Sequence, residues 1–249
     1  MKNVIFLFAF FFVSAMSVCV QAVPTIYFGE DLSAIESGDF SNSIKAHNAF
    51  LSNLKNVKVE SFENFAPASA GLTIDFGEAG MATLTGGYVS GSWDAGAIAS
   101  GRFSTTPSGD QFLEVQTSPD PEGGTGTFSL EFETEQSAFG FFGTDFEGSQ
   151  TDLIFETVIG ETFTLNIPFS NPSPTGSALF WGFIDTERQF TKVTFNGVNL
   201  FRDWFGFDDF TIGTEDQVVS PVPEPATMAL LGIGLIGLAA VRRKRTSRL

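Results

Sequence analysis

Two adjacent carboxylates near the end of the chain, Asp208 and Asp209, stand inside an aromatic run, Phe205-Gly-Phe-Asp-Asp-Phe-Thr-Ile212. Read as one regular strand, the run puts Phe205, Phe207, Asp209 and Thr211 on one face and Gly206, Asp208, Phe210 and Ile212 on the other. Each Asp then shares a face with Phe. A carboxylate among core aromatics needs a cation or several hydrogen bonds, because an unpaired buried charge is very costly. Ca2+ accepts many oxygens in irregular geometry, so the run points to a structural calcium site. The competing reading is an Asp at a strand end whose oxygens accept backbone N–H groups. Asp120, Glu122 and Asp145 are further acids in loops with a weaker claim on an ion.

Other chemistry finds less support. His47 is the only histidine, and a Ser-His-Asp triad needs that imidazole beside a nucleophile. The sequence has no Gly-x-Ser-x-Gly elbow and no Walker-type phosphate loop. Paired-carboxylate glycosidase chemistry would rest only on the abundance of acids. One cysteine, Cys19, excludes a disulfide framework and a Cys/His zinc site. The chain is therefore read as a non-enzyme. Sugar platforms lean on Trp and Tyr, which makes Trp93, Trp181 and Trp204 the aromatics to watch, with Trp93 and Trp204 the candidate glycan contacts and core packing the competing role of all three.

These residues sit in a body that runs from Val23 to Ser220. It holds seven basic and twenty-eight acidic residues, a formal charge of −21. A nucleic-acid binder with a basic footprint is excluded at that balance. A helical lead-in is predicted over about 30–55. Asp31 to Glu36 reads as one short helix, and Ser41 to Leu54 carries Ile44, Ala46 or His47, Phe50, Leu51 and Leu54 at helical spacing, with Ser41 or Asn42 as N-cap. From Val57 the texture changes to strands. Phe128–Phe132, Phe163–Ile167 and Thr191–Phe195 alternate apolar with polar residues, and Leu153–Val158 and Ala178–Ile184 are β-rich runs. Gly and Pro clusters separate them. Twenty-five phenylalanines in the body supply apolar area without polar tips, as a core between two sheets requires. The fold class is mainly β, an antiparallel β-sandwich of jelly-roll type. Many carbohydrate-binding jelly rolls hold a calcium ion between their first and last strands. By that likeness Glu60 or Glu63 is the first-strand partner of Asp208 or Asp209.

The two ends differ from the body. Lys2, the apolar stretch Val4–Val13 and Val20-Gln21-Ala22 form the three parts of a signal peptide over residues 1–22, cut by signal peptidase after Ala22. At the other end, over 221–249, Pro223-Glu224-Pro225 precedes sixteen uncharged residues, Ala226 to Val241. The cluster Arg242-Arg243-Lys244-Arg245 follows, within a basic segment over 242–248. A helix of that length reaches about 24 Å, short of a ~30 Å hydrocarbon core. Gly232, Gly234 and Gly237 soften it further. Such a span is a poor permanent anchor and a good transient one.

This tripartite tail resembles the PEP-CTERM sorting signal. The resemblance implies recognition by an exosortase, a membrane cysteine protease of Gram-negative bacteria. It implies transient insertion in the inner membrane, then release or transfer to the cell surface or extracellular matrix. It also implies a setting of exopolysaccharide and biofilm. The body looks like the β-sandwich bodies that often precede this signal, through Glu60-Ser-Phe-Glu63, Ala138–Asp145, Phe180–Asp185, Phe190–Phe195 and Phe205–Phe210. That likeness implies a jelly roll and no defined activity. The expected role is structural or adhesive within an exopolysaccharide layer, with a carbohydrate-binding module as the alternative.

Overall fold

The computed structural model describes residues 24–107, 109–117, 127–146, 150–170, 176–198 and 203–219. The signal peptide, the sorting tail with its membrane span, Asp120 and Glu122 lie outside the described residues. Among the described residues no helix is long and apolar enough to cross a membrane.

Thirteen antiparallel strands are described: β1 (Thr25–Asp31), β2 (Val59–Glu60), β3 (Leu72–Asp75), β4 (Met81–Thr85), β5 (Tyr88–Gly91), β6 (Gln111–Thr117), β7 (Thr127–Gln136), β8 (Ala138–Thr144), β9 (Gln150–Glu156), β10 (Thr162–Asn166), β11 (Ala178–Ile184), β12 (Phe190–Val198) and β13 (Asp203–Gly213). One sheet has the order β1-β11-β8-β13-β6-β5, with β2 also paired to β13. The other has the order β10-β9-β12-β7-β4-β3. The five predicted strand runs fall on β7, β9, β10, β11 and β12. The two sheets enclose a core in which aromatic rings meet edge to face. Phe128 stands 4.9 Å from Phe207 at 77° and Phe155 stands 4.9 Å from Phe190 at 73°. Each such pair contributes roughly 0.5–1.5 kcal/mol beyond its area. Trp181 is fully buried among these rings.

Three short helices accompany the sheets: α1 (Ala34–Ser37), α2 (Ser41–Leu51) and α3 (Ala95–Ala99). The predicted lead-in is helical only in part, because its first residues end a strand. The run Thr-Ile-Tyr-Phe is rich in β-branched and aromatic side chains, and it pairs along its whole length with β11. The N-terminal end of α2 also differs from expectation. The N-cap position belongs to Phe40, whose side chain makes no capping bond. Asp31 at the end of β1 acts in its place. Its Oδ1 accepts the N–H of Asn42 at 3.0 Å and its Oδ2 that of Ser43 at 2.8 Å. These are donors that a helix start leaves without partners.

Helix α2 lies on the outer face of the first sheet, over β1, β11 and β8. That contact explains why β8 and β11 are buried on both faces. In β11, Leu179, Trp181 and Phe183 point into the sandwich, while Phe180 and Ile184 point toward the helix. Gly182 of β11 and Gly140 of β8 are directly paired, and Phe50 of α2 rests on both. A Cβ on either glycine would stand 2.9 Å from the Phe50 ring.

The aromatic run at the chain end is not one regular strand. Asp208 pairs with Phe142 and Thr211 with Gly140, so β13 carries one extra residue against β8. Asp209 takes up that residue with φ 52, a left-handed geometry that Asp tolerates better than most residues. The bulge reverses the alternation beyond it. Phe205, Phe207, Phe210 and Ile212 all face the core. The equal sharing of faces between Asp and Phe is thereby corrected, since a period-two reading assumes no insertion.

Candidate functional site

The half of the outer face that α2 leaves open, over β8, β13, β6 and β5, is overlain by the segment that joins β5 to β6. Asp94 starts α3 by accepting the N–H groups of Gly96 and Ala97 at 3.0 and 3.1 Å. The chain then descends onto the sheet and delivers two groups of contacts.

The first is centred on Arg102. Its Nε donates to Glu114 Oε1 at 2.6 Å and its Nη1 to Asp145 Oδ2 at 3.0 Å. All three side chains are buried, with 9 % exposure for Arg102 and 2 % for Glu114. Tyr88 on β5 donates its hydroxyl to the other oxygen of Glu114 at 2.8 Å. Burial, and then the bond to that carboxylate, raises the Tyr88 pKa well above its ordinary value. Trp204 on β13 completes the group. Its ring centroid lies 5.6 Å from the Arg102 guanidinium carbon and 6.2 Å from Tyr88 at 82°. A planar cation held by two carboxylates under an aromatic ring is a rigid arrangement. Removing one partner would leave an uncompensated buried charge.

The second group is a nest of donors around Asp208. Its Oδ2 accepts the backbone N–H groups of Thr105 and Thr106 at 2.7 and 3.1 Å, and the hydroxyl of Ser104 at 3.1 Å. Its Oδ1 accepts the N–H of Asp209 at 2.8 Å. The neighbouring Asp209 accepts the Thr106 hydroxyl at 2.7 Å. Burial, reinforced by the charge of Asp209, pushes Asp208 up to about 8. Asp209 is raised by burial, and so is Glu60.

The four residues read as calcium ligands do come from neighbouring elements. Glu60 on β2 is paired with Phe210 on β13, and the Asp209 charge is felt by Glu60, as the Glu63 charge is by Asp209. One oxygen of each glutamate is engaged in hydrogen bonds. Glu60 Oε1 accepts the N–H of Phe62 at 2.7 Å, and Glu63 Oε1 accepts those of Asp110 and Gln111, both at 2.8 Å. Among the described residues no group of three or more His, Cys, Asp or Glu side chains is gathered to hold a metal ion.

The remaining sequence candidates separate widely. His47 packs between the rings of Phe142 and Phe180, at 5.0 and 4.8 Å, with Nε2 buried and without a hydrogen-bond partner. It is a packing residue of α2, and burial lowers its pKa to about 4. Trp93 is 51 % exposed and its ring rests on Gly91. Trp204 is half-buried in the Arg102 group. The sequence reading missed Arg102, Tyr88 and Glu114. A signal was present: Arg102 is the one basic residue between Lys58 and Arg188, and a lone cation in so acidic a stretch must meet carboxylates.

Comparison with known proteins yields one family match. Residues 221–244 carry the PEP-CTERM protein-sorting motif, which marks the chain for export and exosortase sorting. The motif holds Pro223, Glu224 and Pro225 and reaches Arg242, Arg243 and Lys244. No curated protein matches the chain. Among solved structures it is similar to a family 29 carbohydrate-binding module studied for ligand recognition, at 14 % identity and TM-score 0.34, covering 67 % of this chain and 98 % of that one. It is similar to the K2 cleaved adhesin domain of Lys-gingipain, at 12 % identity and TM-score 0.34, covering 64 % and 98 %. A third is the enzymatically active domain of a bacteriophage CBA120 tailspike protein, at 9 % identity and TM-score 0.29, covering 66 % and 20 %. Likeness of this degree decides nothing about a ligand.

Proposed function

We propose that the chain is a structural or adhesive protein of a Gram-negative cell surface or extracellular matrix. In this reading it is delivered through the inner membrane by its tail and retained in an exopolysaccharide layer. The observation that carries the reading is the sorting motif at 221–244. The body supports it. Its aromatic core is closed between two sheets, and its single histidine is engaged in packing rather than in chemistry. An acidic body of −21 keeps such a protein soluble and away from anionic membranes.

A second reading, a glycan-binding module, is favoured by one specific arrangement. Trp204 is held rigid by Tyr88 and Arg102, and a pre-fixed aromatic loses little freedom when a sugar stacks on it. Trp93, exposed beside Gly91, is its companion candidate. The two readings part in one experiment. The exported protein is tested for co-sedimentation with purified exopolysaccharide of its host. Binding lost in Trp204→Ala or Trp93→Ala supports the module. Retention in the matrix with no such dependence supports the structural role. A protein recovered only from the cytosol refutes both.

The proposal of a structural Ca2+ at Glu60, Glu63, Asp208 and Asp209 has its own test. Calorimetric titration at pH 9, above the value to which burial pushes Asp208, is paired with thermal melts. No heat and no rise in melting temperature with millimolar Ca2+ would discard it.

A further inference from the structure

We infer that the outer edge of β1, with the adjoining flank of α2, is a pairing surface for a second copy of this chain. β1 is the last strand of its sheet. All seven of its residues are paired with β11, and among the described residues no strand pairs with its other side. An open edge is a template for another strand. Natural edges are blunted with proline, lysine or a bulge, and Thr25–Asp31 has none of these. Its large apolar side chains are instead displayed, with Ile26 48 % and Phe28 37 % exposed. Between the strand and α2 lies an open cleft of about 580 Å3, walled by Asn42, Lys45 and Ala49 of the helix.

Charge selects the occupant. Two bodies at −21 repel each other across most of their surfaces. α2 carries Lys45 and no acid, and β1 carries no charge before Glu30. The two acids that end β1 are already engaged. Glu30 accepts the Ser170 hydroxyl at 2.7 Å and its backbone N–H, and Asp31 caps α2. The edge is therefore an acid-poor, apolar strip on an acidic molecule, and a second such strip matches it. Antiparallel pairing of β1 with its own copy is isologous. It closes as a dimer and removes both open edges.

The exported protein is examined by sedimentation velocity over about 1–100 μM, and by disulfide trapping on intact cells. Wild type is expected to form a concentration-dependent dimer that strengthens with added salt, as screening lowers the repulsion. Ile26→Lys with Phe28→Lys is expected to leave a monomer of unchanged melting temperature, since both side chains are half-exposed. Ile26→Cys or Phe28→Cys is expected to cross-link copy to copy. Trp93→Cys, beside β5 at the opposite edge of the sheet, is expected not to. A wild type that stays monomeric throughout overturns the proposal. So does a dimer that survives both lysines, or an edge that captures a host glycan or another protein in place of its own copy.

Discussion

Asp208 and His47 pull the stability of the folded chain in opposite directions as pH changes. Folded Asp208, at about 8 against an ordinary 3.8, keeps a proton that the unfolded chain releases. Its contribution is full below pH 3.8 and is lost as pH rises through 8. Folded His47, at about 4 against 6.5, declines a proton that the unfolded chain accepts. Its contribution is full above pH 6.5 and is lost as pH falls toward 4. Each slope is about 1.4 kcal/mol per pH unit, so the two cancel between pH 4 and 6.5. Asp209 and Glu60, both raised by burial, act in the same direction as Asp208 from their ordinary carboxylate range upward, and above pH 6.5 His47 no longer opposes them. The melting temperature should therefore fall most steeply from pH 6.5 to about 8, where nothing offsets the carboxylates. Asp208→Asn should make the fall shallower, and His47→Phe should steepen the decline down toward pH 4. A wild-type profile that is level above 6.5 would refute this account. The helical place of His47 was legible in the sequence, but spacing alone does not choose between a surface and a packing position. The Asp208 nest was not legible. Its donors, Ser104 to Thr106, lie about a hundred residues away, and local pattern carries no record of such contacts.

At the scale of elements, Phe50 on its two glycines is the largest of the contacts, beside Ala46 and His47, that bind helix α2 to the sheet. Phe50→Ala should cost about 3–5 kcal/mol, because the site under α2 cannot collapse onto a flat pair of glycines. Gly182→Ala should cost about 1–3 kcal/mol by driving a methyl group into the Phe50 ring. Ile44→Ser, on the exposed side of the same helix, should stay within about 0.5 kcal/mol. Urea denaturation of the three variants tests the ranking. An Ile44→Ser loss as large as that of Phe50→Ala would mean that the helix is docked by another face. The helix itself was legible from Ser41 onward, but its rotation was not. Ile44, Phe50 and Leu51 all fit a helical stripe, and the choice among them is made by Gly140 and Gly182 on strands that lie 90 and 130 residues downstream. The bulge at Asp209 was hidden for a related reason. Alternation reports side-chain direction only while the ladder is regular, and the extra residue answers to the register of β8.

For the molecule as a whole, the proposed function gives the two ends and the body different lifetimes. The body has a closed aromatic core and a large negative charge, which suit long residence outside the cytoplasm. The tail has sixteen uncharged residues softened by Gly232, Gly234 and Gly237 and held by Arg242, Arg243, Lys244 and Arg245. In that reading a span so short is helped to stay in a membrane by its basic end. Cleavage near Pro223-Glu224-Pro225 would convert a membrane-bound acidic domain into a free one, and the acidity would then keep it from returning to an anionic surface. Mass spectrometry of the exported protein should therefore find a chain that starts at Val23 and ends near the motif, without the Arg242–Leu249 peptide. In a host lacking exosortase, or in Glu224→Ala, the protein should remain in the membrane fraction with the tail intact. An exported form that retains Arg242–Leu249 would show that the tail is a lasting anchor. The body would then face its ligands from a fixed position, and dimerisation through β1 would have to occur between neighbours in the membrane plane.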